Sequence, residues 1–319
     1  MAVLHTKRTK TSGTGQGFYF ARAVLLSVIL VLFFSCASTR RAPYTYFAEE
    51  ESVYIPAQFD WKPVFDGADY FCYENKSFPV RYHCVRIDLT TPNLQILSFP
   101  AEDSDYKKED GKRSKFFIGK RTGSFARKSG ADIAINSSPF AGKNGKWDLY
   151  AHVTRTRQIV GVHILDKKEF SPPLKQFCAL LFKKDGDGWK ATIIDSQTPE
   201  TVADSDYAFG GFWTILRDEQ KIPFKAETHD SRTGAGLSKD GTMLYLLIVE
   251  GEKVSMSEGL SYPECADVFL AMGADDAMQF DGGGSSSLFI SGKNMLSYPS
   301  IRVNAASIGF SFTKTAAQE

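Results

Sequence analysis

"AMQFDGGGSSSLFI", residues 277–290, is the stretch on which the reading of this chain turns. Two apolar runs flank one aspartate, three glycines and three serines. A turn needs only one or two glycines, so something else has to come close to the backbone there. The stretch is not a dinucleotide fingerprint, because Gly-x-Gly-x-x-Gly is absent. It is not a P-loop either, since no Gly-Lys-Ser/Thr follows, and no Gly-x-Ser-x-Gly elbow marks Ser285, Ser286 or Ser287 as a nucleophile. Two readings are left. One is a tight turn in a crowded place. In the other, the amides of Gly282, Gly283 and Gly284 approach an anionic ligand while Asp281, at the end of a buried strand, faces the same space.

Strand signals dominate the surrounding sequence. "YHCVRIDLT" (82–90) and "LQILSF" (94–99) flank a break at Thr91-Pro92-Asn93. "FCALLFKK" (177–184) and "WKATIID" (189–195) enclose Asp-Gly-Asp-Gly, a hairpin signal too short for a calcium loop. "TMLYLLIVEG" (242–251) is a continuous apolar run and predicts a buried strand. Helices are fewer. "GSFARKSGA" (123–131) predicts a short one ending at Gly130. "SYPECADVFLAMGA" (261–274) predicts a clearer one, with a Ser261/Glu264 capping box, Pro263 in the first turn and Gly273 at the end. The fold expected is α+β: a mixed, mostly antiparallel sheet with a few covering helices, in a single domain over residues 61–319.

Residues 1–35 look like a signal peptide. Lys7, Arg8, Lys10 and Arg22 precede the apolar run "AVLLSVILVLFF" (23–34), which is short for a bilayer span. Cys36 stands where that run stops, the position of the lipidated cysteine in a bacterial lipoprotein, although Phe33 replaces the usual Leu. Residues 36–60 are then a tether, and the chain is expected to be exported and held on a membrane through that lipid, in the periplasm or at the cell surface. Without the leader, 34 basic residues face 37 acidic ones, a charge of −3, which disfavours general nucleic-acid binding. Export permits disulfides, and Cys72 and Cys84 are close enough in sequence to pair across a hairpin. No Cys-x-x-Cys, His-x-His or His-Glu-x-x-His spacing supports a metal among Cys178, Cys265, His83, His152, His163 and His229, and no cofactor is called for.

Two further stretches carry chemistry. "THDSRTGAGLSKDG" (228–241) sets Arg232 beside permissive backbone, where a guanidinium could hold a phosphate or carboxylate by two parallel hydrogen bonds. "SGADIAINSSPF" (129–140) ends a strand on Asn136, suited to a sugar hydroxyl or to orienting a carboxylate. Each also has a plain reading, as a surface arginine and as a turn-capping asparagine.

Taken together, the three stretches resemble the phosphodiester glycosidase family. Its pattern is a strand ending in Asn-Gly-Gly-Phe-Phe, then Arg-Thr-Ala-x-Gly, then Asp-Gly-Gly-Gly-Ser-Ser. Here Asn136, Arg232 to Gly236, and Asp281 to Ser286 match in turn, with Glu250 where the family has Asp and a looser "RVNAA" (302–306) near the end. The likeness spans roughly residues 80–312. It implies hydrolysis of a sugar-phosphodiester linkage in an extracytoplasmic glycan, with Asp281 and Arg232 catalytic. It also implies substrate contacts from Asn136, Thr233, Gly282, Gly283, Gly284, Ser285 and Asn304. Ser137-Ser138 replace the family's two glycines, which narrows the pocket or adds hydroxyl contacts. The rival readings are a non-catalytic glycan-binding lipoprotein and a hydrolase of a phosphate-free glycan.

Overall fold

All strand pairings among the described residues are antiparallel, so each strand's neighbours are set by turns and crossovers rather than by βαβ units. The structure, a computed structural model, describes residues 53–142, 155–224, 228–299 and 301–312. The leader and Cys36 lie outside the described residues, as does His152.

The largest sheet has eight strands. Their order is Lys62–Phe65, Ala68–Asn75 (β1), Val80–Asp88 (β2), Met243–Val249 (β8), Arg232–Leu237 (β7), Asp276–Gln279 (β9), Trp213–Arg217 and Gln220–Lys221. β8 explains its unbroken apolar run. Leu244, Leu246 and Ile248 enter one core cluster, while Tyr245, Leu247 and Val249 enter another on the opposite face. A strand covered on both faces needs no polar alternation. The second cluster is closed by the helix Tyr262–Met272 (α2), which buries Cys265, Ala266, Val268, Phe269 and Met272. Ser261 and Glu264 form its capping box, and Gly273 ends it at φ 93°.

A five-stranded sheet lies on the other side of the glycine stretch. Its order is Lys293–Asn294, Leu288–Ile290 (β10), Ile133–Asn136 (β4), Ser307–Ser311 (β11) and Gln95–Phe99 (β3). The helix Thr122–Ser129 (α1) covers it, burying Phe125 and Ala126 and ending at Gly130, φ 73°. A third sheet, also five-stranded, contains the hairpin Ala179–Asp185 (β5) and Gly188–Ile194 (β6), paired as the Asp-Gly-Asp-Gly signal predicts. A four-stranded sheet completes the set. The architecture is α+β and mostly antiparallel. The two strands flanking Thr91-Pro92-Asn93 enter different sheets, so that break is a crossover and not a hairpin turn.

The β1–β2 hairpin corrects the disulfide expectation. Its register sets Cys72 opposite His83 and Phe71 opposite Cys84. Opposed residues share a face and successive residues alternate, so the two cysteines project from opposite faces of the sheet. Both are free thiols. Before the hairpin, the Val53 and Tyr54 carbonyls accept hydrogen bonds from the Tyr73 and Tyr82 hydroxyls at 2.6 and 2.8 Å, which lays the end of the tether segment on the sheet.

Candidate active site

Asp281 follows β9 by two residues, and the chain then crosses from the large sheet to β10 of the five-stranded sheet. The crossover is fastened to both. Asn136 at the end of β4 donates from Nδ2 to the Asp281 carbonyl at 2.6 Å, and the Asp281 amide donates to the Ser137 carbonyl at 3.0 Å. Asn136 Oδ1 accepts from Thr233 Oγ1 at 2.9 Å and from the Ser287 amide at 3.0 Å. Asn304 donates to the Ser285 carbonyl at 3.2 Å and to Thr122 Oγ1 at 3.1 Å. Asn136, Thr233 and Asn304, expected to touch substrate, are therefore gathered around the crossover, where these bonds engage the main chain and one another.

The glycines are needed for close approach. A Cβ at Gly282 would lie 2.8 Å from the Ser231 carbonyl oxygen, and Gly283 sits at φ 55°. A Cβ at Gly284 would lie 2.7 Å from Nη2 of Arg302, so the guanidinium rests on bare backbone. Arg302 Nη1 is 3.5 Å from Ser285 Oγ, and the Ser285 hydroxyl also acts on the Asp281 carboxyl, lowering its pKa. Ser285 thus links carboxyl to guanidinium.

The electrostatics single out Asp281. It is buried, and burial pushes its carboxyl up to about 6; the Ser285 hydroxyl and the charges of Arg302 and Arg157 pull it only part of the way back. Arg157 is itself 2% exposed. It donates from Nε to the Val303 carbonyl at 2.9 Å and from Nη1 to the Thr156 carbonyl at 3.1 Å, with its guanidinium 4.7 Å from the centre of the Phe140 ring. Burial, helped by the like charge of Arg302, lowers its pKa to about 10. Arg157, Arg302, Gly284, Tyr298 and Glu252 line one cleft of about 920 Å³. Burial and the nearby Asp230 charge raise the Glu252 carboxyl as well, against the pull of Arg302.

Arg232 opens β7 directly after Ser231, whose carbonyl accepts from the Gly283 amide of the crossover at 2.8 Å. Its Nε donates to the Leu260 carbonyl at 3.0 Å and its Nη2 to the Thr228 carbonyl at 2.6 Å. The group stacks 4.3 Å from the centre of the Tyr262 ring. Its fork holds main chain at the start of α2, and the cations acting on Asp281 are Arg302 and Arg157. The glycines after it serve packing: a Cβ at Gly236 would lie 2.6 Å from the Phe269 ring of α2. Arg302 and Glu252 had faint sequence signals, in the closing "RVNAA" and beside the strand ending in Glu250-Gly251. Arg157 had none.

His163 is buried, with Nε2 2.9 Å from the Pro100 carbonyl, and burial pushes its pKa down to about 4. His229 pairs with Glu264 at 2.9 Å beside the α2 cap. Asp218, Asp275 and Asp276 bring carboxylate oxygens within 4.8 Å of one another, but Asp276 is ion-paired with Arg217 and accepts from the Asp218 amide, an arrangement that closes the sheet edge. The Ser137, Ser138 and Ser286 hydroxyls are buried without a hydrogen-bond partner among the described residues.

This antiparallel α+β scaffold sets the raised Asp281 carboxyl at a glycine crossover between two sheets, within reach of the charges of Arg302 and Arg157. The chain is a member of the phosphodiester glycosidase family, whose sequence profile matches residues 129–311. Among solved structures it is similar to the catalytic domain of zebrafish N-acetylglucosamine-1-phosphodiester α-N-acetylglucosaminidase, described as auto-inhibited by its pro-peptide. That likeness has 16% identity and a TM-score of 0.56, over 79% of this chain and 85% of that one. It is also similar to a hypothetical protein from Synechocystis (13% identity, TM-score 0.54), covering 76% of this chain but only 62% of that one. A protein from Burkholderia pseudomallei is similar too, at 12% identity and TM-score 0.53, over 73% and 74% of the two chains. No curated protein matches the sequence at a significant level.

Proposed function

We propose that this chain hydrolyses a sugar-1-phosphodiester, with Asp281 as base and Arg302 and Arg157 holding the phosphate. An ordinary glycosidase expels an alkoxide and needs a protonated acid, hence a carboxyl pair. A phosphomonoester leaves as a stable anion, so the site needs cations where its charge develops. In the step proposed, a water oxygen attacks the anomeric carbon and its proton passes to the Asp281 carboxylate. The bond from that carbon to the phosphate oxygen breaks, and its electron pair leaves with the phosphomonoester. A carboxyl titrating near 6 is ionised at neutral pH yet basic enough to accept a proton. The observation that carries this reading is the buried Asp281 carboxyl, raised by burial and drawn partly back by the charges of Arg302 and Arg157, whose side chains line one cleft with Gly284 of the glycine crossover. Arg232 is here a positioning residue, fixing the start of α2.

The test is a panel of sugar-1-phosphodiesters and matched neutral glycosides, with product identification. Arg302→Lys keeps the charge and loses the fork, so turnover of the phosphodiester falls about a hundredfold with the neutral glycoside little changed. Binding without product would favour a glycan-binding protein, and equal turnover of the neutral glycoside would favour a phosphate-free substrate. By the sequence reading of residues 1–36, this hydrolysis takes place outside the cytoplasm, on a membrane-held chain. Unchanged acyl labelling in Cys36→Ala would refute that tether.

A further inference from the structure

Lys120, Arg121, Lys128, Arg155 and Lys253 line the cleft together with Arg157 and Arg302, and Glu252 is its one acidic residue among those described. The whole chain is almost neutral, with 38 basic and 37 acidic residues, so composition does not account for such an excess at one place. Pairing does not account for it either. Lys120 meets Asp105 at 3.0 Å, but among the described residues Arg121, Lys128, Arg155, Lys253 and Arg302 have no carboxylate within 4.0 Å. Elsewhere Arg81, Arg86, Arg113, Arg217 and Lys221 are paired with carboxylates. Like charges crowded in a concave wall repel one another, and that repulsion is relieved when an anion fills the space.

One phosphodiester carries one negative charge, which Arg302 and Arg157 already answer. Arg121 and Lys128 stand outside that pair. Seven residues apart at the two ends of α1, with Ser124 between them, they form one stripe along the helix that also lines the cleft. Lys253 follows Glu252 on another lining segment.

Building on the proposed hydrolysis at Asp281, we infer that the natural substrate is a chain of several phosphodiester-linked units, whose further phosphates lie along Arg121, Lys128 and Lys253. A polymer of this kind displaces bound counterions at each contact, so its affinity falls with salt more steeply than that of a single diester.

The experiment compares a synthetic oligomer of about six sugar-1-phosphodiester units with a single sugar-1-phosphodiester, both for binding and as substrates of the full chain. Binding is measured on Asp281→Asn, which keeps the cations and stops turnover, so it is read independently of hydrolysis. The expected result is at least tenfold tighter binding of the oligomer, with a steeper salt dependence. The triple variant Arg121→Gln, Lys128→Gln, Lys253→Gln should lose at least tenfold in oligomer affinity. Its kcat/KM on the single diester should change less than threefold. Equal affinity for oligomer and single diester would overturn the inference, as would equal losses on both in the triple variant. Anionic lipid vesicles bound as tightly as the oligomer, with the same loss in the variant, would overturn it in favour of a membrane surface. Preferential oligomer binding by a protein that cleaves neither would sink the hydrolysis and leave the polyanion site standing.

Discussion

Two buried carboxyls stand at strand ends of the large sheet, and they are held in opposite ways. Glu250 follows β8 and is 1% exposed. Its Oε1 lies 2.8 Å from His83 Nε2, accepts from the Ser297 amide at 2.9 Å and meets Arg81 Nε at 3.3 Å; its Oε2 takes the Ser297 hydroxyl. Burial raises its pKa, but these bonds outweigh burial and hold the carboxyl below its usual range. His83 is driven the other way. Burial lowers it, and the neighbouring Cys72 thiol and Glu250 carboxylate carry it above the ordinary value. Asp281 has the shared Ser285 hydroxyl and two guanidiniums acting at longer range, and burial prevails. A carboxylate bonded on both oxygens fastens β2 and β8 to the segment around Ser297. A carboxylate left under-bonded carries a cost in stability, and a cost of that kind is kept where a ligand will answer it.

The largest effect should come from the satisfied carboxyl. Glu250→Ala leaves His83 Nε2 and the Ser297 amide and hydroxyl without their acceptor, and breaking a buried pair on one side costs about 3–5 kcal/mol. Chemical denaturation at pH 7 checks this, and a cost under about 1 kcal/mol would erase the contrast with Asp281. The depressed Glu250 pKa gives stability that is present above the unfolded value and lost as pH falls through the folded one.

Asp281 should behave with the opposite sign. Its folded pKa of about 6 lies above the ordinary 3.8, so the protonated form is favoured in the fold. The stability this provides is full below 3.8 and is lost as pH rises through 6. Asp281→Asn removes the charge and should therefore stabilise the protein at pH 8 by up to about 3 kcal/mol. The gain should vanish below about pH 4. Melting temperatures across pH 4–8 decide it, and a destabilised variant at pH 8 would make Asp281 a structural carboxylate like Glu250.

A smaller effect is expected at Arg232. Arg232→Lys loses one of two charged bonds to main-chain carbonyls and the flat stack on Tyr262, a cost of about 1–2 kcal/mol. Turnover should fall less than tenfold where the melting temperature is matched by stabilising salt. A deep loss of activity with unchanged stability would return this arginine to the phosphate.

The same contrast shows what was legible in the sequence. Asn136 is joined to the glycine stretch only through the family resemblance, whereas the strands, the Gly130 and Gly273 ends of α1 and α2 and the β5–β6 hairpin follow local rules of periodicity, capping and turn chemistry. Register does not. One residue's offset put Cys72 opposite His83, and no pattern in "CYENKSFPVRYHC" announces that choice. Nor is the target of a long side chain visible. Arg232 stands beside glycines in sequence but reaches back to Thr228 and Leu260, while Arg157 and Arg302 come from segments far apart and converge only through the sheet crossover. The sequence marked the carboxyl through its glycines, because the guanidinium lying on Gly284 forbids a side chain there.

The most direct test of the account is the pH dependence of kcat/KM on a single sugar-1-phosphodiester, for the native chain and for Asp281→Asn verified as folded by circular dichroism. The native profile should rise through an apparent pKa near 6 as the Asp281 carboxyl ionises. In Asp281→Asn the rate should fall about a thousandfold, roughly 4 kcal/mol of transition-state stabilisation, and the limb near 6 should disappear. A folded Asp281→Asn protein that turns over at the native rate with the same limb would contradict the account, and would leave the glycine crossover a tight turn around a buried acid.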